Sequence, residues 1–274
     1  MKLKFKKMHG LGNDFIMIDG RKSKIPNVRK VAKKLCDRRF GIGADQMLVL
    51  GKSRKADFSM KIYNADGGEV EMCGNGLRCL AVFIRKEMIS PESQMTIETA
   101  SGIQTVKIGA RHQVTVNMGE PILRGNEIPV KLSGRVINRP MRVDGKEFRA
   151  TCVSMGNPHC VLFVDDIHKF EVNKFGPMIE KNQLFPKKTN VEFARVISSK
   201  EIEMRVWERG AGETLACGSG ACAVVVAAVL NGLTDRKVRV KLLGGVLDIE
   251  WRKEKEGVWM TGPAETVFSG EVTL

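Results

Sequence analysis

The chain repeats itself at a fixed interval. Gly12-Asn-Asp-Phe15 resembles Gly156-Asn-Pro-His159, and the stretch from Asn64 through Cys73 to Gly76 resembles the stretch from Glu208 through Cys217 to Gly220. A shift of 144 residues relates both pairs and also carries Gln46 onto Asn190. One Cys-Gly-x-Gly is an ordinary turn. Two of them, each 61 residues after a Gly-Asn, point to a duplicated domain with its functional pieces at equivalent points. Gly in both copies could serve turns alone, but that does not explain a Cys before each glycine turn.

Periodicity supplies the elements of each half. Met95–Thr99, Gln104–Ile108 and Gln113–Asn117 alternate as successive strands, and so do Ile202–Trp207, Lys237–Leu242 and Val246–Trp251. Asn27–Arg38 carries Val28, Val31, Ala32 and Leu35 at helical spacing, and Leu77, Leu80, Ala81, Ile84 and Met88 form a second apolar stripe. Ala221–Leu230 is apolar all round and predicts a helix buried on every side. At ten residues it is too short to span a bilayer. Each half thus reads as strands, a glycine-rich turn, one apolar helix, then more strands: sheets wrapped around a central helix, twice.

Each Cys-Gly-x-Gly opens directly into an apolar helix. The thiols of Cys73 and Cys217 are therefore expected at helix N-termini, where unpaired N–H groups and the dipole favour negative charge and lower a thiol toward neutrality. Glycine lets those N–H groups approach an anion closely, and a carboxylate held there is stabilised as charge builds on it during loss of an α-proton. A pseudo-symmetric pair of thiols suits stereoinversion. One thiolate removes the α-proton from one face, and the other, as a thiol, protonates the opposite face. No lysine is placed for a Schiff base and no phosphate loop is present, so no pyridoxal phosphate or other cofactor is implied.

Other classes fit less well. Seven cysteines is an odd number, no Cys-x-x-Cys occurs, and the segment Met1–Met8 holds no apolar run of the length a signal peptide needs. A disulfide scaffold and a structural zinc site are both disfavoured, no membrane association is expected, and a cytoplasmic protein is the expectation. The net charge of +14 raises nucleic-acid binding, but the lysines are scattered and one Tyr with three Trp makes a poor stacking surface. Cys36, Cys79, Cys152, Cys160 and Cys222 read as small buried residues.

The stretches Gly12-Asn-Asp-Phe15, Asn64-Ala-Asp-Gly67, Met72-Cys-Gly-Asn-Gly-Leu-Arg78, Gly156-Asn-Pro-His159, Glu208-Arg-Gly210 and Ala216-Cys-Gly-Ser-Gly220 together resemble the diaminopimelate epimerase family. The resemblance implies an isomerase that converts LL- to meso-diaminopimelate, on the way to lysine and cell-wall precursors, without cofactor or metal. It implies an α+β fold of two pseudo-symmetric lobes, each a mainly antiparallel sheet around a central helix, with the site between them, in a homodimer. The lobes are expected at 1–118, completed by a C-terminal strand at 263–274, and at 119–262. Cys73 and Cys217 match the family's catalytic pair, with His159 and Glu208 close to the reacting centre. Gly74, Asn75, Gly218 and Ser219 match positions whose backbone holds the reacting carboxylate. Asn13, Gln46, Asn64, Asn157, Asn190, Glu208 and Arg209 match substrate contacts. Arg209 suits a distal carboxylate through its fork, and Glu208 suits an ammonium.

Three other readings remain open on the residues alone. A related racemase could act on another amino acid such as proline, although a ring substrate has no use for a distal Arg and Glu. A metal or redox protein could use Cys73, Cys79, Cys217, Cys222 and His159. A basic nucleic-acid-binding module is the third.

Overall fold

A computed structural model describes residues 2–22, 25–110, 113–253 and 255–274 of the chain; Met1, Ser23, Lys24, Arg111, His112 and Glu254 lie outside it. The chain divides into two compact units, one made of Met1–Asn117 with Thr261–Leu274, the other of Met118–Met260.

In the first unit the elements are β1 (Lys2–Gly10), β2 (Asn13–Asp19), α1 (Val28–Cys36), β3 (Gln46–Gly51), β4 (Phe58–Asn64), β5 (Glu69–Val70), α2 (Gly74–Lys86), β6 (Gln94–Thr99), β7 (Gly102–Ile108) and β8 (Gln113–Asn117). In the second they are β9 (Arg139–Val143), β10 (Lys146–Ser154), β11 (Pro158–Phe163), α3 (Val172–Glu180), β12 (Asn190–Ser198), β13 (Glu201–Glu208), β14 (Gly212–Thr214), α4 (Gly218–Leu230), β15 (Lys237–Leu242) and β16 (Gly245–Trp251). Then come β17 (Val258–Pro263), where the chain passes from the second unit back to the first, and β18 (Glu265–Thr273).

The repeat survives in the register of the strands. β1 pairs antiparallel with β2, β2 runs parallel to β3, β3 and β4 are antiparallel, and β4 is parallel to β6. β10, β11, β12, β13 and β15 follow the same order and directions. Phe15 stands opposite Gln46, and 144 residues on, His159 stands opposite Asn190. The turn before each of these strands needs the same backbone: Gly12 has φ 87° and Gly156 φ 94°, a region costly to any residue with a Cβ. The outer neighbour of the first strand differs. β1 pairs with β18 from the far end of the chain, whereas β10 pairs with β9 from the adjacent hairpin.

Each sheet curls around one helix. α2 packs on β1, β2, β3, β7 and β8; α4 packs on β10, β11, β12, β15 and β16. α4 bears only Gly, Ser, Ala, Cys, Val and Leu, and every residue from Gly220 to Ala228 is buried. Each of its enclosed valines contributes about 1.5–3 kcal/mol relative to exposure. α2 has the same position but ends on Arg85 and Lys86, whose charge complements the carbonyl end of the helix.

Each unit holds a second helix on the outside of its sheet. α1 lays Val31, Ala32, Leu35 and Cys36 against β3 and β4, two residues shorter at its C-terminal end than the stripe from Asn27 to Arg38 suggested. α3, 144 residues on, was not expected, because Gly176 and Pro177 lie inside it. Pro177 has no N–H to donate, and Gly176 is there for space: a Cβ at that position would lie 2.6 Å from Trp207 Cγ. No described helix is long and apolar enough to cross a membrane.

Candidate active site

Cys73 is the residue before α2, in extended conformation (φ −146°, ψ 107°), and its Sγ accepts a hydrogen bond from the Gly76 N–H at 3.4 Å. The side chain of Asn13, at the start of β2, lies beside it: Asn13 Oδ1 is 3.8 Å from Cys73 Sγ and accepts from Asn75 Nδ2 at 3.2 Å. Asn75 is fixed in turn by Arg78 Nη1, which donates to its Oδ1 at 2.9 Å. On the neighbouring strands Gln46 Nε2 donates to Asn64 Oδ1 at 2.9 Å. Asn13, Cys73, Gly74 and Asn75 thus come together at the head of α2, and Gln46 and Asn64 pair on β3 and β4.

Beneath Asn13 lies a charged cluster that no motif marks as a unit. Asp14 receives Lys7 Nζ at 2.6 Å and Arg38 Nη2 at 2.8 Å, while Asp45 accepts from Asn13 Nδ2 at 2.8 Å. Burial alone would raise the Asp14 carboxyl, but the hydrogen bonds from Arg38 and Lys7 outweigh it and hold the group at about 2.

Cys217 has the corresponding place before α4 (φ −122°, ψ 110°), with Ser219 Oγ 3.5 Å from its Sγ. Glu208, at the end of β13, accepts hydrogen bonds from the Cys217 thiol and from Thr214 Oγ1, the latter at 2.6 Å. Here one expectation fails. A helix N-terminus was expected to lower both thiols, yet Cys217 is pushed well above the ordinary thiol range, by burial first and then by the negative charges of Glu208 and Glu192. Burial and two carboxylates outweigh the partial charge of a helix end. Burial raises Glu208 as well, against the two hydrogen bonds it accepts.

His159 and Glu192 were not expected to meet. His159 Nδ1 lies 2.6 Å from Glu192 Oε1, both side chains wholly buried, and His159 Nε2 lies 2.9 Å from Asn157 Oδ1. Asn190 is turned to the backbone, donating to Pro158 O and accepting from the Arg209 N–H, both at 2.9 Å. The Arg209 side chain is exposed, with Nη1 3.3 Å from Lys187 O. Glu192 could have been found by applying the shift of 144: it falls on Leu48, and His159 falls on Phe15, so two buried apolar positions of the first half become ionisable in the second, and the two touch.

The other cysteines are small buried side chains. Burial drives Cys36 up to about 12 and Cys79 higher still, and Cys160 is raised by its contact with Cys152, its partner across β10 and β11. Among the described residues no group of three or more His, Cys, Asp or Glu side chains is arranged to hold a metal ion.

The first turns of α2 and α4 leave the N–H groups of Gly74, Asn75, Gly218 and Ser219 without intrahelical acceptors, next to a thiol in each case. Such a head can grip a carboxylate and offer a proton donor or acceptor to the carbon beside it.

Comparison with known proteins agrees. The profile of the family described as diaminopimelate epimerase matches residues 5–123 and 151–267, once in each half. The diaminopimelate epimerase of Acetivibrio thermocellus is 50% identical over 99% of both chains, and that of Desulfitobacterium hafniense is 53% identical over 96% of both. The solved structure of a probable proline racemase from Agrobacterium radiobacter superposes with a TM-score of 0.73 at 15% identity, covering 99% of this chain and 93% of that one, a likeness of fold. With the matched profile spanning both halves and half of all residues shared along nearly the whole length, this chain belongs to the diaminopimelate epimerase family.

Proposed function

We propose that the chain is an epimerase that inverts one stereocentre of 2,6-diaminopimelate, converting the LL to the meso isomer toward lysine and cell-wall precursors, with Cys73 and Cys217 as the two acid–base groups. The observation that carries this is the equivalence of the two thiols, each at the head of the buried central helix of its own unit. The reacting carboxylate is gripped by the N–H groups of Gly74, Asn75, Gly218 and Ser219. One sulfur takes the α-proton as a thiolate; the electron pair left on the carbon spreads into the gripped carboxylate; the other sulfur gives up its proton to the opposite face.

Glu208 is half-buried and accepts a hydrogen bond from the buried Cys217 thiol, and loss of solvent disfavours charge on both. Cys217 therefore rests as a thiol, ready to donate. In the reverse direction Glu208 takes its proton and the sulfur becomes the base. Asn13, Gln46, Asn64, Asn157 and Asn190 position the two ammonium–carboxylate ends, Arg209 faces the distal carboxylate, and His159 lies close to the reacting centre. No cofactor or metal enters. The enzyme acts in the cytoplasm as a homodimer, a state supported by the exposed apolar side chains of Val267 and Phe268 on β18.

The test is turnover of LL-diaminopimelate in heavy water by dialysed, chelator-treated protein. Meso product carrying deuterium at the inverted carbon is expected, and Cys73→Ala and Cys217→Ala should each abolish inversion. Substantial inversion by either variant, or a strict need for pyridoxal phosphate or a metal, refutes the mechanism.

A further inference from the structure

We propose that Glu192 is a positioning residue for the reaction: its buried carboxylate fixes the His159 imidazole through Nδ1, leaving Nε2 as the nitrogen that gains and loses protons. This rests on the reading that His159 stands close to the reacting centre.

On the parallel strands β11 and β12, His159 stands opposite Asn190 and Val161 opposite Glu192, so His159 and Glu192 project from the same face two positions apart. Both are wholly enclosed, and Nδ1 and Oε1 are 2.6 Å apart. Helix α4 closes the carboxylate in from above, where a Cβ on Gly220 would lie 2.8 Å from Oε1. A proton shared at that distance keeps Nδ1 a donor. On the other side Asn157 Oδ1, 2.9 Å from Nε2, can only accept, so a proton on Nε2 donates to it and the ring protonated on both nitrogens has its charge countered by Glu192; a neutral ring keeps its lone pair on Nε2 once the Asn157 amide turns its Nδ2 toward it.

The other half of the molecule supplies the control. In the same register, at the same place under the first turn of α2, stand Phe15 and Leu48, both wholly buried. There a Cβ on Gly76 would meet Leu48 Cδ1 at 3.0 Å. The fold therefore accepts an apolar pair at this position. A buried ion pair is often no more stabilising than well-packed apolar residues of similar size, so packing does not account for the pair in one half only. Glu192 Oε2 has no hydrogen-bond partner in the structure, so the scaffold uses only one of its two oxygens.

The titratable groups on the side of the pair are Glu208 from β13 and Cys217 from α4, while Cys160 and Cys152 lie on the other face of β11 and β10. The charge of Glu192 helps keep Cys217 a thiol and also raises Glu208 and Cys160. One carboxylate thus bears on both the imidazole and the proton-donating thiol.

The test uses Glu192→Gln, Glu192→Leu and the double variant His159→Phe with Glu192→Leu. Gln still accepts from Nδ1–H but carries no counter-charge. Its kcat should fall by roughly tenfold or more, short of the roughly 10²–10⁴-fold carried by a whole acid–base group. KM should stay near wild type. Nitrogen-15 NMR of the substrate-free protein should find the Nδ1–H form in wild type and Gln and lose that preference in Leu. The double variant, which copies Phe15 and Leu48, should melt close to wild type even if Glu192→Leu alone fails to fold.

A Gln variant with unchanged kcat overturns the proposal. So does an unchanged tautomer in the Leu variant, or a double variant that melts far below wild type, which would make the pair a structural one. Because the NMR and melting arms need no substrate, they judge Glu192 even if wild-type protein fails to invert diaminopimelate, an outcome that would refute the epimerase reading separately.

Discussion

Substituting Gly220 with Ala and Gly76 with Ala places the same methyl at equivalent points of the two halves, with unequal consequences. An alanine in a helix gains up to about 1 kcal/mol over glycine in either place. At Gly76 the methyl meets Leu48 Cδ1 at 3.0 Å, the rotatable end of an apolar side chain. Overpacking of that kind costs about 1–3 kcal/mol, so the net change is about 0–2 kcal/mol of destabilisation. At Gly220 the methyl meets Glu192 Oε1 at 2.8 Å and Cys217 Cβ at 3.3 Å. Here the carboxylate must retreat, and retreat stretches its 2.6 Å contact with His159. Loss of a hydrogen bond to a charged group adds about 1.5–3 kcal/mol to the overpacking cost. Gly220→Ala should therefore be the less stable variant by about 1.5–3 kcal/mol, or roughly 3–12 °C in Tm for a chain of this size. Calorimetry on the two purified variants, with kcat measured beside it, decides the matter. Equal melting temperatures and equal turnover would refute the claim that the carboxylate is locked in place.

Two further outcomes follow from the charges. Asp14 is held at about 2 against an ordinary 3.8, so its pairing stabilises the fold above about pH 5 and that contribution, at most about 2 kcal/mol, is lost as pH falls toward 2; urea midpoints of wild type should drop over this range toward those of Asp14→Asn, and parallel curves would contradict it. Cys217, raised by burial and by Glu208 and Glu192, should resist iodoacetamide near pH 7 and react faster as pH rises, and Glu208→Gln should speed the reaction at a given pH; mass mapping that finds Cys217 alkylation indifferent to both pH and the substitution would count against its resting as a thiol.

The repeat carried most of what could be read in advance. The stripe from Leu77 to Met88 and the apolar run 221–230 were legible as central helices because a glycine turn leads into each, and the alternating runs at 95–99, 237–242 and 246–251 were legible as strands because one face of each is dry. α3 was hidden because Gly176 and Pro177 break the pattern for reasons of space that only Trp207 reveals. Of the site, the residues on the glycine turns were legible, because the repeat marks them twice. Their electrostatics were not. The helix-end argument for Cys217 counted one partial positive charge, while burial, Glu208 and Glu192 act in the opposite direction, and Glu192 itself sits among Val191 and Phe193 in a strand that reads as plain core.

The pairing of β1 with β18 sets an order of events in synthesis. Residues 2–9 have their register partners at 265–273, and Phe5 packs edge-on against Phe268 with ring centroids 5.9 Å apart. The equivalent edge of the second unit is filled by β9, only a tight turn away from β10. A nascent chain can therefore finish the second unit while the first still lacks a strand, and residues 2–9 stay open along one side until residues 265–273 have been made. Closing so long a loop is slow compared with closing a hairpin. For as long as that takes, β1 offers a bare row of backbone donors and acceptors to whatever strand is at hand, and three outward lysines at positions 2, 4 and 6 stand along it as charges that discourage the wrong one.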